Sequence, residues 1–426
     1  PFTLASGQPP KQPSAQAAPV SPFTPVAPAA VEPAGAPAAP AKPAGRSVLD
    51  VFARKSGDSG SGKEPEGRDV EPDPDAGEAE VPADLVFETA PAASSFALLL
   101  HRLGLHEQAR RHFARACELE PQEGQHHYNL ASLERFLGNL EAAEAAIERC
   151  IECRPGDADA HLLRAGLRDQ TAEQNNIESL LNAYELTGDT PQDRLRVCYA
   201  LAKELEDIAD YDRAFKYLDE GSKLRRGGMQ YTPARDLRAI EIIRGTFSRE
   251  VLERDIEGYV SAEPIFVIGM PRTGTTLVER ILSSHSVVRS AGESKAFAVQ
   301  LVSECSKVAE RPPDDIGDLI TRSVDVDFAA LGEGYVNEAR PVGERVAHFV
   351  DKMPLNFLYA GLIHQALPKA KIVLLERDPM DTCYAVYKTL FEGVYPFSYD
   401  LVELANYFVA YRRLVRHWQD VMPGVM

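Results

Sequence analysis

From Ser94 onward, apolar residues recur at helical spacing, and the pattern itself repeats every 34 residues. The repeated positions are Gly104, Ala109, Phe113, Ala116 and Pro121, which recur as Gly138, Ala143, Ile147, Cys150 and Pro155. Small residues let two helices approach closely, a glycine makes the turn between them, and a proline ends the second helix. The pattern therefore predicts a solenoid of paired helices.

Two further units are less regular. The unit at residues 158–186 departs from the pattern, whereas residues 199–218 follow it with Asp210 at the turn position. Solenoids of this kind hold peptides or partner proteins in a concave groove, so we expect a protein or peptide partner here. A dimerising or spacing scaffold is the alternative interpretation of the same pattern.

From about Arg254 the periodicity changes, and short apolar strands alternate with helices. The predicted strands cover residues 265–268, 287–289, 346–350 and 371–376, and the predicted helices cover 276–285, 354–367 and a segment that starts at Asp381. Alternating strands and helices are typical of a parallel sheet covered on both faces, with its chemistry at the carboxyl ends of the strands. The predicted fold class is therefore α plus α/β: a helical solenoid followed by a parallel-sheet domain.

Residues 1–90 show neither the 34-residue repeat nor the alternation of strands and helices. Proline and alanine dominate to about Gly45, and residues 57–84 are rich in Gly, Ser, Pro and acidic residues. Neither composition supports a packed core, so we expect a disordered N-terminal arm. Between the two blocks, residues 47–55 could form two helical turns, either as a docking segment or as a transient helix in a linker. The predicted boundaries are 1–90 for the arm, 91–250 for the repeats and 251–426 for the sheet domain.

The formal net charge of −18 argues against non-specific nucleic-acid binding, because phosphate backbones attract basic surfaces. There is no run of about 18 apolar residues and no signal-peptide pattern, so we expect a cytoplasmic protein without a membrane segment. The cysteines lack metal-ligand spacing except for Cys150 and Cys153, which lie late in a repeat with no second pair. We interpret these two as thiols packed in a helix, and we expect no metal site.

An apolar run leads into a glycine loop that opens the next predicted helix. Gly269, four intervening residues, Gly274, Thr275 and Thr276 copy the spacing of the phosphate-binding P-loop, in which backbone amides and a helix N-terminus face phosphate oxygens. Where a nucleoside triphosphatase carries a lysine, this chain has Thr275, and the cation in the loop is Arg272. The loop therefore predicts a nucleotide with one phosphate and a transferable group, and it disfavours a magnesium-dependent kinase. A plain strand-to-helix turn is the alternative.

Three more polar residues follow predicted strands. Glu293 lies in a turn of small residues, where a carboxylate could take a proton from an acceptor hydroxyl; a helix-capping glutamate is the alternative. Lys352 follows an apolar strand and either reaches the glycine loop or is a plain surface residue. Arg377 ends the last predicted strand, where a guanidinium can bind a second phosphate in a bidentate way; a structural Arg–Asp pair is the alternative.

Taken together, these elements resemble the sulfotransferase family, and most of all bacterial proteins that join tetratricopeptide repeats to a P-loop sulfotransferase domain. The resemblance is carried by residues 265–276, 291–294, 351–357 and 377–381, and also by residues 395–401. It extends over about residues 94–424. The chain resembles the tyrosylprotein sulfotransferases more distantly.

The resemblance implies that the chain uses 3′-phosphoadenosine 5′-phosphosulfate as its sulfuryl donor, without a metal. The 5′ end of the donor would lie in the loop formed by Pro271, Arg272, Thr273, Gly274, Thr275 and Thr276, and Arg377 would meet the 3′-phosphate. Glu293 would be the base that activates the acceptor, while Lys352 and Arg272 would neutralise charge on the moving sulfuryl group. Sulfuryl transfer is an in-line displacement, for which positioned cations are sufficient.

Two departures from the family pattern affect this expectation. Family members commonly have a serine eight residues after the arginine, where this chain has Ala385, and the missing hydrogen bond to a charged group is worth about 1.5–3 kcal/mol. Ser398 or a backbone amide could replace it. The family also continues beyond the position of Met426 with another strand and a loop over the nucleotide, so we expect a truncated domain: either the chain is a fragment or its donor site is open on one side. The competing hypothesis is a tetratricopeptide interaction scaffold with an inactive nucleotide domain.

Overall fold

The computed structural model describes residues 85–188, 190–341, 347–391 and 393–426. Most of the predicted N-terminal arm, including the segment 47–55, lies outside the described residues. Residues 85–89 lead into the first helix without helix or strand of their own.

The repeat region consists of paired helices, as the period predicts. In chain order they are α1 (Ala90–Arg102), α2 (His106–Leu119), α3 (Gly124–Leu137), α4 (Leu140–Cys153), α5 (Ala158–Ala165), α6 (Ile177–Leu186), α7 (Pro191–Asp207) and α8 (Tyr211–Gly227). Ala109 and Ala143, at equivalent positions of the first two pairs, are completely buried, which lets the paired helices approach closely. The prediction of a helical solenoid is confirmed.

The turns inside the helix pairs need a left-handed residue. Gly104 and Gly138 take this conformation with φ of 77° and 83°. In the fourth pair it falls on Ala209, at φ 62°, so the prediction that Asp210 takes the turn position is wrong. Asp210 is instead the N-cap of α8, because its carboxylate can accept a hydrogen bond of 3.4 Å from the backbone N–H of Arg213 at the start of the helix.

A second series of helices connects the repeats to a sheet and covers it. These are α9 (Pro233–Thr246), α10 (Arg249–Leu252), α11 (Thr275–Ser283), α12 (Ala296–Val308), α13 (Ile316–Arg322), α14 (Phe328–Ala339), α15 (Ala360–Ala366), α16 (Pro379–Tyr387) and α17 (Leu401–Val421), with 3-10 turns at Ser323–Asp325, Pro354–Tyr359 and Pro396–Tyr399. The predicted helix 354–367 is thus a 3-10 turn followed by α15. Within the described ranges, no helix has both the length and the apolar character needed to cross a membrane.

In the described part of the chain, four strands form one sheet: β1 (Pro264–Gly269), β2 (Val288–Gly292), β3 (His348–Asp351) and β4 (Lys371–Leu375). The strand order is β2-β3-β1-β4, and each neighbouring pair is parallel. Phe266, Val267 and Ile268 of β1 are completely buried, as expected for a strand that is covered on both faces. The predicted parallel sheet is confirmed. Because β1 is an interior strand, the loop that follows it lies near the middle of the carboxyl edge of the sheet.

The main hydrophobic core is shared by the sheet domain and the end of the repeat region. Trp418 of α17 is almost fully buried, its ring centre lies 5.9 Å from that of Phe247, and its Nε1 donates a hydrogen bond of 2.9 Å to the carbonyl of Phe357. Tyr199 of α7 and Ile243 of α9 belong to the same cluster. The boundary between residues 250 and 251 stays a prediction, and apolar packing crosses it.

Candidate active site

The loop after β1 has a backbone that depends on glycine at two positions. Gly269 has φ 149°, and a Cβ atom there would lie 2.5 Å from the carbonyl oxygen of Leu375 in β4. Gly274 has φ 102° and is the N-cap of α11, while Arg272 between them is left-handed at φ 66°. This conformation turns the chain sharply from strand to helix, so the free N–H groups at the start of α11 lie at the carboxyl edge of the sheet.

The side chains of this loop divide into those that fix it and those that it presents to solvent. The Thr273 hydroxyl donates a hydrogen bond of 2.8 Å to the carbonyl of Met270, and Pro271 and Thr275 are buried. Arg272 and Thr276 are exposed. An anion at the loop would therefore meet a guanidinium, a hydroxyl and the backbone N–H groups of the helix start.

Helix α11 packs against the sheet through only part of its apolar surface. Val278 and Leu282 are half-buried against strand residues, whereas Leu277 is 64% exposed and Ile281 is 61% exposed. The apolar residues of α11 thus form two stripes. The outer stripe lies at the surface close to the glycine loop.

Glu293 and Lys352 come together at the carboxyl edge of the sheet. The Nζ atom of Lys352 donates a hydrogen bond of 2.5 Å to Oε1 of Glu293. The Lys352 side chain is only 10% exposed, so it is not the plain surface residue of the alternative interpretation. Glu293 is not a helix cap either, because the N–H of Ala296 at the start of α12 donates to the Ser294 hydroxyl at 3.2 Å.

The contact between Glu293 and Lys352 depends on an irregular end of β2. The register between β2 and β3 shifts between Ser290 and Gly292, and Gly292 is left-handed at φ 66°. The backbone N–H of Lys352 donates a hydrogen bond of 2.8 Å to the carbonyl of Gly292. The Ser290 hydroxyl contacts the carboxylate of Glu279 on α11. The bulge thus directs Glu293 toward Lys352. The contact between Ser290 and Glu279 connects the end of β2 to α11, the helix after the glycine loop.

A buried carboxylate immediately precedes Lys352. Asp351 is completely buried, its Oδ2 accepts a hydrogen bond of 2.9 Å from the Tyr335 hydroxyl, and its Oδ1 accepts one of 3.1 Å from the backbone N–H of Met353. Burial raises the pKa of this carboxyl to about 7, against the opposing effect of these hydrogen bonds. The bonds fix the turn that carries Lys352. Asp351 was not among the predicted site residues, although the sequence places an acidic residue at the end of an apolar strand there.

Arg377 follows β4 at the same edge, because Leu375 is paired with Gly269 in the sheet. Its Nη2 atom lies 3.3 Å from Oδ2 of Asp381, and its side chain is 46% exposed. Asp378 caps α16 instead, since its Oδ1 accepts hydrogen bonds of 2.8 and 3.2 Å from two backbone N–H groups of the first turn. Arg377 therefore pairs with Asp381 and not with Asp378, and a structural Arg–Asp pair stays the alternative to phosphate binding.

Ser398 does not replace the serine that is missing at Ala385. It is completely buried, so its hydroxyl does not reach a ligand at the surface. Its backbone N–H donates a hydrogen bond of 2.9 Å to the carbonyl of Tyr395. Ala385 is half-buried in α16. Of the two substitutes considered, a backbone amide remains.

Tyr395 is a buried residue of the segment 395–401, to which the motif assigned no role. It is left-handed at φ 52° and only 6% exposed. Burial and, after it, the carboxylate of Glu293 raise the pKa of its phenol. The ring centres of Phe391 and Phe397 lie 4.8 and 6.1 Å from that of Tyr395. These rings thus pack around Tyr395, whose phenol interacts electrostatically with Glu293.

The two cysteines with a short spacing, Cys150 and Cys153, both lie on α4 as free thiols, and Cys150 is buried. Among the residues that the structure describes, no three His, Cys, Asp or Glu side chains come together as candidate metal ligands.

Two segments of the chain match family models. Residues 264–426 match the sulfotransferase family, and residues 127–157 match the tetratricopeptide repeat. The first match extends from β1 to α17 and includes the glycine loop, Glu293, Lys352 and Arg377. The resemblance of the sheet domain to sulfotransferases, and of the helix pairs to tetratricopeptide repeats, is confirmed.

Individual relatives cover only part of the chain. An uncharacterized protein of Aquifex aeolicus (strain VF5) is 29% identical over 294 residues, which are 68% of this chain and 38% of that protein. Protein-tyrosine sulfotransferase A of Caenorhabditis elegans is 26% identical over 141 residues, which are 31% of this chain and 35% of that protein. This chain thus spans little more than a third of the length of either relative. The crystal structure of MamA aligns at 17% identity over 33% of this chain and 81% of its own, with a TM-score of 0.29.

Proposed function

We propose that this protein transfers a sulfuryl group from 3′-phosphoadenosine 5′-phosphosulfate to a hydroxyl acceptor. The observation that carries the proposal is the contact between Glu293 and Lys352, in a domain that matches the sulfotransferase family. A carboxylate and an ammonium at the same sheet edge as a glycine loop supply a proton acceptor, a cation and an anion site. Those are the groups that sulfuryl transfer needs.

The loop and the end of β4 suit the two phosphate positions of the donor. The residues proposed for the 5′ end are Pro271, Arg272, Thr273, Gly274, Thr275 and Thr276. A Cβ atom built at Gly274 meets no atom within 4 Å, so the start of α11 is open to an anion. Arg377, at the same edge, presents a guanidinium that suits the 3′-phosphate. Thr275 at the lysine position of a triphosphatase favours this donor over ATP.

The proposed chemistry uses the chain's own charged groups. Glu293 takes the proton of the acceptor hydroxyl while the acceptor oxygen bonds to sulfur and the bond between sulfur and the 5′-phosphate oxygen breaks. A sulfate ester and adenosine 3′,5′-bisphosphate leave, and Glu293 releases its proton to water. Lys352 and Arg272 offset negative charge on the sulfuryl oxygens and on the departing phosphate. Since Lys352 contacts Glu293 in the structure, an anion that draws the ammonium away would free the carboxylate to act as a base.

The repeats support a protein or peptide acceptor. Tetratricopeptide repeats commonly bind peptides or partner proteins, and the repeat region of this chain shares a hydrophobic core with the sheet domain. One relative bears the name protein-tyrosine sulfotransferase, which favours a polypeptide acceptor for this chain as well. A polypeptide held by the repeats would be presented by a region that packs directly against the sheet domain.

The test is transfer of a radiolabelled sulfuryl group from the donor to a panel of polypeptide and small-molecule hydroxyl acceptors. We expect label on polypeptide acceptors with the wild-type protein, loss of transfer in Glu293→Gln, and no loss in Glu333→Gln, which changes an exposed glutamate of α14. The interaction scaffold would be favoured instead if no acceptor is labelled and if the repeats bind a partner with an affinity that does not depend on the nucleotide.

A further inference from the structure

The end of the repeat region reaches the neighbourhood of the candidate site through Arg225 of α8. Its Nη2 atom donates a hydrogen bond of 3.4 Å to the carbonyl of Phe391, and its guanidinium carbon lies 5.8 Å from the centre of the Tyr399 ring. The Tyr399 hydroxyl accepts a hydrogen bond of 2.7 Å from the N–H of Phe391 and donates one of 2.9 Å to its carbonyl. Arg225 and Tyr399 therefore both bind the backbone of Phe391 and fix its position.

Phe391 starts the segment that carries Tyr395. The Phe391 and Tyr395 rings meet edge to face, with centres 4.8 Å apart. At the other end, the ring of Phe397 stacks on Tyr407 of α17 with centres 3.7 Å apart. Between these anchors Tyr395 keeps a left-handed backbone, which a residue other than glycine retains only where its surroundings enforce it. The anchors thus restrain the position of Tyr395.

Helix α8 is also fixed to the two helices on either side of this segment. Arg226 forms a bidentate ion pair with Glu403 of α17, with both distances at 2.8 Å. Asp219 accepts a hydrogen bond of 3.3 Å from the hydroxyl of Tyr387 at the end of α16. Arg225 lies between Asp219 and Arg226 on α8. Of these three residues, Arg225 is the one that binds the segment that starts at Phe391.

We propose that Arg225 is a positioning residue of the candidate site: it acts through Phe391 and Tyr399 to restrain Tyr395 and the segment that stacks on α17, the helix whose Arg412 pairs with Glu376 next to Arg377. The last repeat thereby contributes to the site, in addition to any groove that the repeats form. The catalytic consequence of this inference rests on the proposed function, whereas the positioning itself does not.

Hydrogen exchange on the full chain tests the positioning without reference to the reaction. Arg225→Ala should speed exchange of the Phe391 and Ser398 amides about ten-fold or more, because a hydrogen bond from a charged donor is lost. Amides of β1 and α17 should be unaffected. Arg225→Lys, which keeps the charge but not the reach, should give an intermediate rate. The matched control is Arg213→Ala, because Arg213 lies on the same helix and pairs with Asp210 at its start.

Kinetics on the same variants test the consequence at the site. Transfer to the acceptor should fall about ten-fold or more in Arg225→Ala while the affinity for adenosine 3′,5′-bisphosphate stays within a few-fold. Unchanged exchange at Phe391 and Ser398 would overturn the inference, and so would a general rise in exchange that includes β1. Local loosening with undiminished transfer would also overturn the role at the site. If the wild-type protein binds no bisphosphate and transfers no sulfuryl group, the proposed function fails while the exchange result still decides the positioning.

Discussion

The Nζ atom of Lys352 lies 2.5 Å from Oε1 of Glu293, although 59 positions separate the two residues. The contact exists because β2 and β3 are neighbours in the sheet and because the bulge at the end of β2 redirects the chain. In this structure the ammonium of Lys352 balances the negative charge of the Glu293 carboxylate. A donor anion that attracts Lys352 would remove this balance, so donor binding and acceptor activation are expected to be coupled.

Glu293→Gln keeps the shape of the side chain and removes the base. We expect turnover to fall by about 10²–10⁴ while the affinity for adenosine 3′,5′-bisphosphate stays within a few-fold, because the amide binds Lys352 less strongly and leaves it available to the anion. Steady-state kinetics and calorimetry measure the two quantities. If bisphosphate affinity collapses and the residual turnover follows occupancy, Glu293 has a structural role instead.

Lys352→Met tests whether the pair acts as a unit. Single and double variants with Glu293→Gln form a double-mutant cycle, in which we expect a coupling energy of about 0.5–3 kcal/mol in transition-state stabilisation, because the two groups are in contact. Lys369→Met, which changes an exposed lysine between α15 and β4, is the control and should leave turnover unchanged. Additive effects of the two site substitutions would show that the contact has no part in catalysis.

The two glycines of the loop differ in the space around them, which gives a matched pair of substitutions. Gly274→Ala strains a backbone at φ 102° but meets no neighbouring atom, so it should lower the free energy of unfolding by about 1–3 kcal/mol. Gly269→Ala adds a contact of 2.5 Å with the carbonyl of Leu375, so the loss should be larger. Denaturant unfolding measures both. Equal losses would mean that β4 does not constrain the loop.

Asp351 should make stability depend on pH in a specific direction. Its pKa is raised to about 7 by burial, above the value of about 3.9 expected in the unfolded chain. The folded state therefore keeps the proton that the unfolded state releases between about pH 4 and 7, and the contribution to stability present below pH 4 is lost as the pH rises. This loss is about 4 kcal/mol at most.

In Asp351→Asn the titrating group is absent, so the stability of the variant relative to wild type should increase from about pH 4 to pH 7. Denaturant unfolding across that range tests this. Parallel stability curves for the two proteins would show that Asp351 ionises normally in the folded state. The comparison is insensitive to any constant cost of the substitution, because only the change with pH is interpreted.

The sequence predicts this fold where local pattern decides the structure. The 34-residue period, the apolar strand 265–268 and the glycine spacing each depend on neighbouring residues, so the solenoid and the strand, loop and helix around Gly269 and Gly274 could be predicted. Their order along the chain also predicted the parallel sheet. The left-handed residue at Ala209 could not be predicted, because the pattern favoured the polar neighbour Asp210 at the turn and alanine has no preference for that conformation.

The contacts of the site depend on features that the sequence does not encode locally. The pairing of Glu293 with Lys352 follows from strand order and a register shift, and the approach of Arg225 to Phe391 follows from how the last repeat packs. The shared core around Trp418 has the same origin. Motif recognition selected Glu293 and Lys352 as separate candidates, but their contact and its neighbours required the tertiary structure.

Calorimetry on the full chain with adenosine 3′,5′-bisphosphate, adenosine 5′-monophosphate and ATP tests the sulfuryl-donor site most directly. We predict that, in the absence of magnesium, the protein binds the bisphosphate about ten-fold or more tightly than ATP. Arg377→Ala should lower the affinity for the bisphosphate about 10–100-fold, because a charge-assisted hydrogen bond to the second phosphate is lost. The affinity for the monophosphate should not change. ATP binding as tight as that of the bisphosphate, or a requirement for magnesium, would contradict the account.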